Sequence, residues 1–293
     1  MKNYFKKSLK LQLFCIFAFM DKTKPIGVFD SGIGGLSVLK QFIKFLPYEK
    51  YIYFGDTARV PYGNKSKQTV EQYARQSTEF LLEKGVKLIV VACNTVSSIA
   101  LDTIKEISNI PVIGMIEPAV NAALRETNNK RIGIIGTRAT ISSNAYLDLI
   151  KTKTASKDYQ VFAKACPLFV PLVEEGLLHH AATELIAKEY LEEFIENKID
   201  TLILACTHYP LLSELIKTIL GDVTLIDSGE NAAVLAIRLL AEKAALIDDK
   251  EEFIRKPKIT FYVTDVPTMF YDAAQRFLGF PVDKPNIISI EKI

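Results

Sequence analysis

Short apolar runs and amphipathic stretches alternate along the whole chain. The runs are rich in Val and Ile and are apolar at successive positions, which is typical of strands buried on both faces. They predict strands at 26–30, 51–56, 88–93, 111–117, 131–137, 159–166, 201–206, 223–227 and 258–265.

The stretches between these runs have the spacing of helices. In "PLLSELIKTILG", the apolar residues from Leu212 to Ile219 follow an i, i+3, i+4, i+7 pattern, and Gly221 stands where a helix would stop. Strands that alternate with helices favour parallel sheets covered by helices on both sides. The pattern therefore predicts an α/β protein with mainly parallel sheets.

A weak internal repeat divides the chain. "IGVFDSGIGG" is echoed by "IGIIGTRAT", and "LIVVACNT" is echoed by "LILACTH". Each of these segments carries a strand followed by a sharp polar turn. The repeat predicts two similar α/β halves whose strand ends face one cleft, and ligands of open α/β sheets bind at the carboxyl ends of the strands.

The formal net charge of +2 is unevenly distributed. Residues 1–24 carry six Lys and one Asp, a balance of +5 that leaves −3 for the rest of the chain. This body lacks a basic surface for nucleic acid, so no nucleic-acid partner is expected. Four cysteines without a CxxC pair argue against a disulfide framework and favour a reducing cytoplasm.

The first twenty residues differ from the remainder. "MKNYFKKSLKLQLFCIFAFM" has the basic start and apolar run of a signal peptide, but no cleavage site of small residues follows. The favoured interpretation is an N-terminal extension outside the fold, with Met20 as the functional start. A membrane-contacting arm and a true signal are the alternatives. No later segment resembles a transmembrane helix, so no membrane contact is expected for the folded body.

Several polar turns follow the predicted strands. Asp30 and Ser31 precede a glycine-rich turn, which suits an ordinary cap as well as an anion site at a helix N-terminus. Asp56 is followed closely by the rigid turn "PYGN", which is also consistent with a simple loop. Thr137 and Thr140 are expected to cap the next helix, and a capping hydroxyl can also contact a ligand.

Cys93 and Cys206 each end a buried strand. Such a cysteine is commonly a small core residue, but both precede polar residues that can cap a helix, and a helix N-terminus stabilises a thiolate. His208 follows Cys206 closely and could exchange a proton with it. Zinc is disfavoured because these residues leave its usual set of four ligands incomplete. Cys166 is expected in the core.

Two thiols that face each other across a cleft suit the inversion of a stereocentre. One thiolate removes an α-proton, and the opposite thiol returns a proton to the other face. Hydroxyls and N–H groups at the strand ends can stabilise the carbanion, and no cofactor is required. The residues thus predict a racemase or epimerase without naming its substrate.

The motifs resemble those of the glutamate racemases, in order and in spacing. They are "GVFDSGIGGLSVL", "YFGDTARVPYG", "ACNTVSS", "IGIIGTRAT", "CPLFVPLVE" and "LACTHYPLL". The resemblance runs from about residue 25 to the C-terminus, and it implies a cytoplasmic, cofactor-independent enzyme that makes D-glutamate for peptidoglycan. It also implies a homodimer. The implied domains are 21–118 plus 228–293 and 119–227, with residues 1–20 outside them.

The resemblance also implies roles for particular residues. Cys93 would take the proton from D-glutamate and Cys206 from L-glutamate. Asp30 would assist Cys93, whereas Glu174 and His208 would assist Cys206. The implied substrate pocket comprises Asp30, Ser31, Pro61, Tyr62, Gly63, Asn94, Thr95, Thr137, Thr140, Thr207 and His208, without a metal.

Two alternatives remain open at this point. A racemase of aspartate or hydantoin would share the two thiols, and a panel of substrates would distinguish it. A protein that binds an amino acid without turning it over would show no α-proton exchange.

Overall fold

The strands form two sheets in which every neighbouring pair is parallel. The computed structural model describes residues 21–155, 158–247, 257–266 and 270–290. The first sheet has the order β10-β9-β2-β1-β3-β4, and the second has β6-β5-β7-β8. The strands are β1 (Ile26–Asp30), β2 (Tyr51–Gly55), β3 (Leu88–Val91), β4 (Val112–Gly114), β5 (Arg131–Gly136), β6 (Gln160–Ala165), β7 (Thr201–Ala205), β8 (Thr224–Asp227), β9 (Ile259–Val263) and β10 (Asn286–Ile287).

Helices cover the sheets. The α-helices are α1 (Leu36–Phe45), α2 (Lys67–Glu83), α3 (Asn94–Ile99), α4 (Leu101–Ile107), α5 (Ile116–Glu126), α6 (Arg138–Ser142), α7 (Ala145–Lys153), α8 (Phe169–Glu174), α9 (Ala181–Glu196), α10 (Ser213–Leu220), α11 (Ser228–Glu242) and α12 (Phe270–Leu278). Two short 3₁₀ helices span Tyr62–Asn64 and Tyr209–Leu212. The predicted α/β fold with mainly parallel sheets is confirmed.

The nine predicted strands are confirmed in place, and most are shorter than predicted. The prediction of a strand over 111–117 is wrong at its end, because α5 already begins at Ile116. Its apolar residues serve equally well in a buried helix turn, and hydrophobicity alone does not separate the two. The two-residue strand β10 was not predicted, since both of its residues are exposed.

The predicted helix at 210–221 is partly wrong. Its first turn is the 3₁₀ helix Tyr209–Leu212, and α10 begins only at Ser213. Gly221 does end the helix, with a φ of +71° that a residue without a side chain adopts without strain.

The hydrophobic core lies on both faces of the two sheets. Strand β1 is buried at every position, as is strand β7 in the second sheet. Between the sheets, the hydroxyl of Ser37 donates to the carbonyl of Thr207 at 2.7 Å. The division into 21–118 plus 228–293 and 119–227 stays a prediction, which the membership of the strands in two sheets supports.

A buried ion pair fastens four chain segments together. Lys87 Nζ lies 2.6 Å from Glu49 Oε2, and both side chains are 1% exposed. The same ammonium donates to the carbonyls of Lys22 and Ala245, each at 2.8 Å. The pair therefore ties the segment before β1, the segment before β2 and the residues that follow α11 to the start of β3.

None of the helices in the described ranges combines the length and the hydropathy needed to cross a bilayer. The predicted N-terminal extension at residues 1–20, with Cys15, lies outside the described residues.

Candidate active site

A cleft of about 610 Å³ lies where the carboxyl ends of strands from both sheets meet. Its size is in the usual range for a small-molecule site. Thirteen of the predicted site residues line it, namely Asp30, Ser31, Pro61, Tyr62, Gly63, Cys93, Asn94, Thr95, Thr137, Glu174, Cys206, Thr207 and His208. Because parallel strands end at one edge, residues far apart in sequence converge there.

Cys93 lies on the side of the cleft formed by the first sheet. It directly precedes α3 and is 6% exposed. Its Sγ donates to the hydroxyl of Ser31 at 3.5 Å. Burial and the neighbouring Asp30 carboxylate raise the pKa of Cys93 to about 12, although the Ser31 hydroxyl and the N–H of Val96 act in the opposite direction. Burial thus outweighs the helix N-terminus, and Cys93 carries its proton at neutral pH.

Cys206 has a different set of neighbours on the side formed by the second sheet. It directly follows β7, and its Sγ lies 3.8 Å from Nδ1 of His208. On the far side of the ring, Nε2 of His208 lies 2.9 Å from Oε1 of Glu174. Burial alone would lower the pKa of His208, but the hydrogen bonds and negative charges of Cys206 and Glu174 raise it to about 10. His208 is therefore an imidazolium held between a sulfur and a carboxylate.

The expectation that Cys206 precedes an α-helix is wrong. A turn at Thr207 and His208 leads into the 3₁₀ helix Tyr209–Leu212, which carries Pro210 in its first turn. Because this short helix has few aligned peptide groups, it offers a weak dipole. His208, with Nδ1 3.8 Å from the Cys206 sulfur, is the neighbouring polar group in its place.

Asp30 is buried beside the Cys93 side of the cleft. Its Oδ2 accepts a hydrogen bond from the N–H of Gly32 at 2.9 Å, whereas the buried Oδ1 makes no hydrogen bond of ordinary geometry with the described residues. Burial raises the pKa of Asp30, and the N–H of Gly32 only partly offsets this. Asp30 is among the residues that line the cleft, and buried polar atoms are normally hydrogen-bonded, so this carboxyl group is a candidate acceptor for a ligand.

Three threonine hydroxyls meet between the two sheets. Thr95 Oγ1 lies 2.9 Å from Thr137 Oγ1 and 3.3 Å from Thr140 Oγ1, and the last two are 2.9 Å apart. Thr137 caps α6 by accepting from the N–H of Thr140, as predicted. The expectation that Thr140 also caps the helix is wrong, because it stands within the helix, and it is not among the residues that line the cleft. It supports the wall by bonding to the two threonines that do line it.

The turn at Pro61, Tyr62 and Gly63 is held from below by Asp56. The Tyr62 hydroxyl donates to Asp56 Oδ2, which also accepts from Nε of Arg59 at 2.6 Å. An ideal Cβ at Gly63 would lie 3.1 Å from Cβ of Thr137, so a glycine here allows the turn to approach the second sheet closely. The sequence indicated this turn but not its anchor.

Other residues of the site were missed. Arg138 lines the cleft and is a cation that suits an anionic ligand. It stands in the motif "GTRAT", which was the available signal. Gly34 was also missed: an ideal Cβ there would lie 2.4 Å from Cε1 of His208 and 2.4 Å from Oγ1 of Thr207. The glycine-rich sequence around Gly34 indicates that another segment approaches the backbone closely there, but it does not indicate that this segment is the turn at Thr207 and His208.

The cysteines of the described ranges are free thiols. Cys166 is fully buried in the core, as predicted, and accompanies Cys93 and Cys206 without a disulfide. Among the described residues, no three His, Cys, Asp or Glu side chains gather as a metal ion would require.

Comparison with known proteins places this geometry in a family. The family model for Asp/Glu/hydantoin racemases matches residues 31–236. A glutamate racemase of Chlorobaculum tepidum is 49% identical, with 91% of this chain and 96% of that protein covered. One of Neisseria meningitidis serogroup A is 45% identical, with 92% and 98% covered.

A solved structure agrees with both. The crystal structure of glutamate racemase from Francisella tularensis in complex with D-glutamate has a TM-score of 0.85 and 43% sequence identity, and the match covers 93% of this chain and all of that one. The chain therefore belongs to the Asp/Glu/hydantoin racemase family and, within it, to the glutamate racemases.

Proposed function

We propose that the protein interconverts L- and D-glutamate by a two-thiol transfer of the α-proton, without a cofactor. The observation that carries this proposal is the pair of buried cysteines, Cys93 and Cys206, which line one cleft from different sheets. The D-glutamate bound to the Francisella tularensis relative supports the choice of substrate.

The two thiols have different neighbours, which suits one direction of the reaction. Cys206, whose Sγ lies 3.8 Å from Nδ1 of His208, takes the α-proton of L-glutamate. Cys93, whose pKa is about 12, donates its own proton to the opposite face of the carbanion. After this turnover Cys206 is protonated and Cys93 is a thiolate, which is the form that accepts D-glutamate in the reverse direction. No atom or electron is gained or lost overall.

The polar residues of the cleft have distinct tasks in this proposal. The carboxyl group of Asp30, which lines the cleft, accepts a hydrogen bond from the substrate ammonium and thereby holds the α-carbon between the two thiols. The two carboxylates of the substrate meet neutral hydrogen-bonding groups, which come from Ser31, Asn94, Thr95, Thr137 and Thr207. Pro61, Tyr62 and Gly63 form the wall above them.

The biological setting follows from the same resemblance. We infer that the D-glutamate supplies peptidoglycan synthesis in the cytoplasm and that the protein acts as a homodimer. The three free thiols of the described residues support a reducing compartment.

The decisive experiment is incubation with L-glutamate in D₂O, with α-proton loss and optical rotation followed together. We expect deuterium uptake with loss of optical activity. Cys93→Ala and Cys206→Ala should each abolish racemisation, whereas Cys166→Ala, which removes a thiol from the core, should keep it. Racemisation at the wild-type rate by Cys93→Ala would refute the two-thiol mechanism. Exchange with aspartate but not with glutamate would refute the substrate.

A further inference from the structure

Helix α12 contacts the pair formed by His208 and Glu174 from behind. Arg276, in the last turn of this helix, reaches the end of α8. Its Nη1 donates to the carbonyl of Glu174 at 2.7 Å and to the carbonyl of Val173 at 3.1 Å. The last carbonyls of a helix have no partner within it and carry partial negative charge, so a guanidinium is a suitable cap for them.

The chain makes room for this guanidinium. Gly176, two residues beyond α8, has a φ of +75°. An ideal Cβ at this position would lie 2.7 Å from Nη2 of Arg276. The missing side chain thus lets the guanidinium lie against the backbone that carries Glu174.

The next residue of α12 contacts the other member of the pair. The ring of Phe277 packs edge-on against the His208 imidazole, with centroids 4.9 Å apart. Two consecutive residues of one helix therefore fix both groups that surround Cys206. The support from α12 is most important for Glu174. Its side chain is 43% exposed, and an exposed carboxylate can adopt several rotamers.

We propose that Arg276 is a positioning residue for proton transfer at Cys206. By holding the carbonyl of Glu174, it keeps the carboxylate 2.9 Å from His208, and His208 in turn keeps its imidazolium beside the sulfur. Arg276 acts only through these groups and does not line the cleft. The inference rests on the proposed racemisation. It adds a residue from the part of the chain that carries the first sheet, whereas Cys206 follows a strand of the second sheet.

The test uses isotope effects, because a merely structural role would not change their balance. With glutamate deuterated at the α-carbon, the effect on the L isomer reports proton removal by Cys206, and the effect on the D isomer reports removal by Cys93. For Arg276→Met we expect a loss of kcat on the order of 10-fold, typical of lost outer-shell support. The isotope effect on L-glutamate should rise and that on D-glutamate should fall.

Two further variants keep the test interpretable. Arg276→Lys retains a cation but not the two-carbonyl fork, so it should recover part of kcat. Arg238→Met removes an equal charge from an exposed position of α11 and should leave both isotope effects unchanged. Labelling by iodoacetamide gives a readout that needs no turnover: Arg276→Met should slow alkylation of Cys206 and not of Cys93.

The outcomes separate this proposal from the one on which it rests. A wild-type protein that does not racemise glutamate would overturn the proposed function itself. An active wild type with unchanged isotope effects and unchanged Cys206 labelling in Arg276→Met would overturn only the role of Arg276. A loss of kcat in Arg276→Met that changes the isotope effects on L- and D-glutamate equally would also overturn the role of Arg276.

Discussion

Gly34 is a position where a single added methyl group should damage catalysis. Its Cα faces the turn that carries Thr207 and His208, across the boundary between the two sheets. In Gly34→Ala, the added methyl group would lie 2.4 Å from both Cε1 of His208 and Oγ1 of Thr207. Since ordinary contacts begin at 3.4 Å, the imidazole must retreat by about 1 Å.

The size of the effect follows from that displacement. The distance from His208 Nδ1 to the Cys206 sulfur is already 3.8 Å, at the outer limit of a hydrogen bond to sulfur. A displacement of about 1 Å in a catalytic group can cost about 100-fold in rate. This corresponds to about 2.7 kcal/mol in the activation free energy. We therefore expect kcat/KM to fall about 100-fold.

The assay follows optical rotation or circular dichroism of glutamate from both isomers, and thermal unfolding monitors the fold. Gly85→Ala is the matched control. Gly85 has a φ of +70° and no atom near its would-be Cβ, so alanine there should cost about 1–2 kcal/mol of stability and no activity. A Gly34→Ala protein with wild-type kcat/KM would refute the claim that the position of His208 limits the reaction.

Three further predictions concern buried polar groups. Lys87→Met should lower the free energy of unfolding by about 3–5 kcal/mol in urea titrations, because it leaves the carboxylate of Glu49 buried without its cation. If the double variant Lys87→Met, Glu49→Leu loses less free energy of unfolding than Lys87→Met alone, the unpaired carboxylate is the cause. An equal loss would contradict this cause. His208 has a folded-state pKa of about 10 against about 6.5 when unfolded, so its ionisation stabilises the fold fully below about pH 6.5. This contribution is lost as the pH rises through 10, and the stability difference between wild type and His208→Asn should change over that window and not below it. Tyr146→Phe removes the donor that lies 2.6 Å from Oδ1 of the buried Asn94. It should destabilise the protein by about 1–3 kcal/mol and raise KM, and an unchanged KM would show that Asn94 keeps its place without this bond.

The sequence predicted the sheets and the two cysteines of the cleft from local signals. Strands buried on both faces produce continuous apolar runs, so β1 and β7 were visible without any knowledge of their neighbours. Cys93 and Cys206 stood out because both end such runs. The proximity of Glu174 to His208 needed the resemblance, since no local pattern relates residues that lie in different elements.

Contacts between distant segments were not predictable in this way. The role of Gly34 depends on a turn that follows β7. Arg276 contacts α8 although about a hundred residues separate them in the sequence. The charge state of Cys93 was also hidden, because burial and Asp30 outweigh the helix N-terminus that the sequence displays. These features depend on which helices, strands and turns contact one another in the folded protein. The periodicity of apolar residues does not indicate those contacts.

The order of strands in the first sheet has a consequence for synthesis of the protein. Strand β2 pairs with β9, so that Tyr51 lies opposite Ile259. The second sheet, from β5 to β8, is contiguous in sequence and can close while the ribosome is still translating the remainder. During that interval the β2 edge is without its neighbour, and an unpaired strand edge invites association with other chains. Translation of the last segment is therefore the step at which a nascent chain becomes safe from aggregation, and premature termination before β9 would leave that edge exposed.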